Sequence, residues 1–72
     1  MFVRELRQAG HTRRFSISER GGGGWEVRDE QDQQVLKQVH YTDWHRVERT
    51  LQMFNLLIDD LLSRGWEPAV TR

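Results

Sequence analysis

Seventy-two residues suffice for one small domain. A chain of that size hides only about 60% of its unfolded surface on folding, so a monomer is marginal and is reinforced by oligomerisation or a ligand. The absence of cysteine excludes disulfides and thiolate metal sites and fits a reducing, cytoplasmic setting, while eleven Lys and Arg against eleven Asp and Glu exclude the global basic field that most nucleic-acid binders use for steering.

The opening stretch, MFVRELRQAGHTRR, lacks the apolar core of a secretory signal. Phe2, Arg4 and Leu6 share one side of a short strand expected over about residues 2–7, with a turn or frayed terminus as the other reading of Leu6 to Gln8. Residues 13–19 alternate more clearly, Phe15 and Ile17 against Arg14, Ser16 and Ser18. Gly21 to Gly24 follow. Bare glycine amides beside Arg20 invite a phosphate-loop reading, but the run lacks both GxxxxGK[ST] and GxGxxG spacing and leads from strand to strand, so it reads as a hairpin loop.

Residues 25–30 repeat the alternation, Trp25 and Val27 against Glu26 and Arg28. Glu30 to Gln34 connect to a strand over residues 34–41 that places Val35, Val39 and Tyr41 on one face and Leu36, Gln38 and His40 on the other. Lys37 shares the face of Val35 and Val39, which assigns it to an edge where its head reaches solvent. The links are hairpin-like, so consecutive strands form an antiparallel three- or four-stranded meander. Its apolar face, Phe15, Ile17, Trp25, Val27, Val35, Val39 and Tyr41, requires a cover.

That cover is one long C-terminal helix over about residues 43–65, roughly 35 Å at about 1.5 Å per residue. Asp43 is its N-cap, Arg64 and Gly65 its end, and Pro68 prevents continuation. Trp66 is expected to close over the last turn, with residues 67–72 as a loose tail. Trp44, Val47, Leu51, Phe54, Ile58 and Leu61 form a seam, and Met53, Leu57 and Leu62 widen it to about half the circumference, more than the 100° or so that one core-facing stripe needs. Leu56 lies outside even this arc. Asp59 and Asp60 interrupt the most apolar stretch, which excludes a membrane span.

The expected architecture is therefore α+β: a single domain, 1–72, made of the meander and the helix. The Trp44 half of the helix covers its own sheet and the Leu56 to Leu62 half meets a second copy, giving a helix-mediated homodimer with Phe54, Leu57, Ile58, Leu61 and Leu62 at the interface. No catalytic constellation is legible. Asp59 and Asp60 point about 100° apart on a solvated face, and His11, His40 and His45, with Glu48 one turn from His45, lack the further inward ligands of a helical metal site. The expectation is a non-enzymatic homodimeric interaction or regulatory module without metal or cofactor. The alternative is single-stranded or other nucleic-acid binding through Arg13, Arg14, Arg20 and Arg28; a second alternative is a small molecule or peptide held under the aromatic cluster of Trp25, Trp44 and Tyr41.

An antiparallel meander followed by a Trp-bearing helix start, Tyr41-Thr42-Asp43-Trp44, and then a dimerising helix resembles the layout of the Whirly proteins and of the transcriptional positive cofactors that bind single-stranded DNA. The resemblance covers about Arg13 to Leu62 in topology alone, without a matching motif. It implies a dimer gripping melted DNA on its sheets. The neutral charge and the lack of a Lys-rich segment depart from that pattern.

Overall fold

The computed structural model describes residues 2–69. Its elements run β1 (Phe2–Gln8), β2 (His11–Arg20), β3 (Gly24–Gln31), β4 (Gln34–Tyr41), α1 (Trp44–Ser63) and β5 (Glu67–Pro68). All strands join one antiparallel sheet in the order β4-β3-β2-β1-β5. The α+β class, the meander and the single long helix follow the alternation of the sequence. The strand count does not: five strands form among the described residues, and β5 lies in the stretch expected to be a loose tail. Residues 70–72 of that tail fall outside the described residues.

Local chemistry accounts for the hairpins. Ala9 and Gly10 (φ 50° and 81°) and Asp32 and Gln33 (φ 52° and 69°) are two-residue turns with both φ positive, the geometry that matches the twist of the strands they join. The second is also tied sideways, since the Asp32 backbone N–H donates to the Thr12 carbonyl and the Asp32 carboxylate accepts from the Thr12 N–H, both at 2.9 Å. Between β2 and β3 only Gly21–Gly23 form the turn. Gly24 is the first residue of β3, where a β-carbon would displace the end of the exposed His40 side chain and sit tightly against the Tyr41 carbonyl.

One register shift corrects the expected face of Val35, while Lys37, Val39 and Tyr41 keep theirs. Lys37 pairs with Asp29 but Val35, not Leu36, pairs with Glu30, so Leu36 is an extra residue in a bulge. Val35 thereby moves to the face opposite the helix. Lys37 does sit on an edge strand, as its position in the alternation implied.

The core lies between the sheet and α1: Leu6, Phe15, Ile17 and Val27 meet Val47, Phe54 and Ile58, with Phe2, Trp25, Tyr41, Leu51, Leu61 and Trp66 around them. Ring centroids of Phe15 and Phe54 are 4.9 Å apart and those of Trp25 and Trp44 5.3 Å. The helix starts at Asp43, whose carboxylate accepts from the His45 N–H at 3.0 Å. Its end is closed by the Trp66 N–H on the Leu61 carbonyl and the Gly65 N–H on the Leu62 carbonyl, with Gly65 at φ 97°: the double bond of a left-handed helix stop. Trp66 packs on the core, as expected of the residue after such a stop.

α1 crosses the sheet on a diagonal. It begins beside Trp25 and Tyr41 and ends where the Gln8 amide donates to the Arg64 carbonyl at 2.9 Å. β1 and β5 widen the sheet on the side where the helix ends, and Phe54, stacked on Phe2, and Ile58 are covered by the chain itself.

Candidate functional site

The helix is the element with most apolar surface to place. Its inward arc consists of Val47, Thr50, Leu51, Phe54, Ile58 and Leu61, all buried or half-buried. This takes up much of the interface expected from sequence: Phe54 is 3% exposed and Ile58 8%, and Leu61 is half-buried. Leu57 and Leu62 remain 39% exposed each, yet at about 100° per residue they lie on opposite flanks of the helix. The five residues therefore do not form one surface.

The outermost line of the helix joins Leu56, which lies outside the arc expected from sequence, to Met53, which lies on the margin of that arc. Leu56 is 70% exposed and Met53 56%. They stand between Arg49 on the N-terminal side and Asp60 on the C-terminal side, at spacings of four, three and four, so all four side chains share a stripe opposite the core seam. The signal was present in the sequence as the isolated position of Leu56. It became a surface only once the opposite side was known to be full.

The four arginines expected to meet nucleic acid are divided between two faces. Arg13 is on the helix side, in a bidentate pair with Asp29 (Nε to Oδ1 and Nη2 to Oδ2, both 2.9 Å) and with its guanidinium 5.0 Å from the Phe15 ring centre. The hydrogen bond to Asp29 raises its pKa and holds it charged. Arg14, Arg20 and Arg28 are on the open face, where Arg14 stands in register between Glu5 and Glu30. Arg20 donates to Glu26 at 2.7 Å, and the Arg28 Nε, buried and without a hydrogen-bond partner, lies 3.8 Å from the same carboxylate. Gln38 donates to the other oxygen of Glu26 at 3.2 Å. Hydrogen bonding from Arg20, foremost, keeps Glu26 below its ordinary pKa. The open face is thus an alternation of opposite charges.

The aromatic cluster opens on a hollow of about 230 Å³ between the first helical turns and the sheet, lined by Phe2, Ile17, Glu19, Trp25, Trp44 and Leu51. Trp25 packs against Trp44, which keeps nearly half its surface exposed. The histidines are apart: His11 pairs with Asp32 at 3.0 Å, His40 lies over Gly24, and His45 is exposed on the helix. Among the described residues no three His, Cys, Asp or Glu gather in a way that would hold a metal ion, and no helix is long and apolar enough to cross a membrane.

Compared with protein-family models, with curated proteins and with solved structures, the chain matches none. Its function is accordingly argued from its own surfaces.

Proposed function

We propose that this chain is a non-enzymatic interaction module that pairs with a second copy of itself through the outward stripe of α1. The observation that carries this reading is the exposure of Met53 and Leu56 side by side at mid-helix while the opposite arc is already used by the chain's own core. A marginal chain of this size gains from covering them. The open edge of β4 is the competing surface for self-association. It is blunted by the bulge at Leu36 and by Lys37, two devices that discourage strand addition.

The nucleic-acid alternative has less in its favour. Arg13 and Arg20 are held by carboxylates, and Arg13 is on the face away from Arg14 and Arg28.

Sedimentation equilibrium tests the reading. Apparent mass is expected to rise from one chain towards two with concentration, and Leu56→Asp is expected to hold it at one chain with an unchanged circular dichroism spectrum, because Leu56 contributes little to the protomer's own core. A wild-type chain that stays monomeric, or a variant that associates as well as wild type, overturns it.

A further inference from the structure

Resting on that reading, we infer that the two helices pair antiparallel in one register, Met53 of each chain packing on the partner's Leu56 and Arg49 of each facing the partner's Asp60. The spacing of Arg49, Met53, Leu56 and Asp60 is the alternation of three and four that lets one helix set its side chains between those of another. The stripe is also polar along its length, basic at the N-terminal end, apolar in the middle and acidic at the C-terminal end. A parallel pair would set Arg49 on Arg49 and Asp60 on Asp60. Reversing one helix turns both contacts into attractions and leaves the apolar layers facing each other, and a twofold axis between Met53 and Leu56 makes the two halves identical.

The charges are free to do this. Arg49 has no carboxylate within 4 Å among the described residues, and Asp60 uses Oδ2 for Arg64 at 3.0 Å, leaving Oδ1 for a second cation. Sliding one helix by about a turn would bring Arg46 to the partner's Asp60 instead. That register places Leu56 over Thr50, which is buried in its own protomer with its hydroxyl donating to the Arg46 carbonyl at 3.0 Å, so Leu56 would have nothing apolar to meet. Only the Arg49 register keeps both Met53 and Leu56 in contact across the axis.

Charge exchange reads this directly. Arg49→Asp alone and Asp60→Arg alone each replace two attractions by two repulsions, and each is expected to weaken self-association roughly tenfold. Mixed in equal amounts, the two variants are expected to pair with one another, since every end contact is then between opposite charges. Sedimentation of the single variants and of the mixture, one of them fluorescently labelled, gives both numbers. A dimeric wild type whose single variants associate unchanged, or whose mixture forms no heterodimer, overturns the register and leaves the dimer standing. A wild type that is monomeric throughout overturns both. Thermal denaturation of each variant at low concentration, expected to match wild type, separates loss of pairing from loss of folding.

Discussion

Among the described residues, the Arg13–Asp29 pair is the one place where the helix-facing side of the sheet holds opposite charges in mutual contact, with only 19% and 12% of the two side chains exposed. Removing one partner strands the other: Arg13→Met is expected to cost about 3 kcal/mol in urea denaturation, whereas adding Asp29→Leu should restore most of it, because a low-dielectric pair is dear to break and cheap to replace as a whole. Arg13 has the same parity as Phe15 and Ile17, and Asp29 the same as Trp25 and Val27. The face of each was therefore legible, but a single charge on an apolar face reads as surface until its counter-ion is known, and this counter-ion sits on a different strand. Two carboxylates, Asp32 at the surface and Glu26 largely covered by its partners, set the acid limit. Asp32 is held below its ordinary pKa by the Thr12 N–H and then by His11, and Glu26 by Arg20. Such groups stabilise the fold fully above their ordinary values, about 4, and the contribution is lost as pH falls through the depressed values. Stability is expected to fall below about pH 4, and Asp32→Asn with Glu26→Gln should flatten that limb in thermal melts taken from pH 6 to pH 2.

At the scale of elements, what the sequence disclosed depended on the length of the signal. The helix has twenty residues of period and named caps at both ends, and both Asp43 and Gly65 act as their chemistry requires. β2 and β3 carry clean alternation. The bulge at Leu36 is silent in sequence, since neither glycine nor proline marks it, and its effect is to reverse the face of Val35. β5 has two residues, too few for any periodicity, and pairs with β1 only because the helix stop delivers the chain beside Leu6 and Arg7. Its hydrogen bonds are correspondingly few, the Ala69 N–H on the Glu5 carbonyl at 2.8 Å among them. Native-state hydrogen exchange is expected to release the Ala69 amide well before those of Phe15 and Val27, which sit mid-sheet; equal protection would mean that the sheet opens as one unit.

For the whole molecule, the proposed pairing would join folding and association in one equilibrium. A second copy that binds only the folded chain raises the melting temperature with concentration, so the wild type is expected to melt higher at high concentration than at low, and Leu56→Asp to melt at one temperature throughout. The stripe that would carry this was legible only in part, as an apolar excess without an address. The sequence assigned the excess to the Leu56 to Leu62 half; of the five interface residues named, Phe54 and Ile58 are taken up by the chain's own sheet, while Leu56, with Met53, remains uncovered. The widening of that sheet by β1 and β5 has a consequence for how the chain assembles. β1 to β4 join through loops of two or three residues, and each hairpin closes a short loop at small entropic cost. The far edge of β1, by contrast, waits for a strand about sixty residues downstream. Zipping of the meander and docking of the helix are therefore expected to come first and β5 to close last, as a latch whose formation would report that everything before it is already in place.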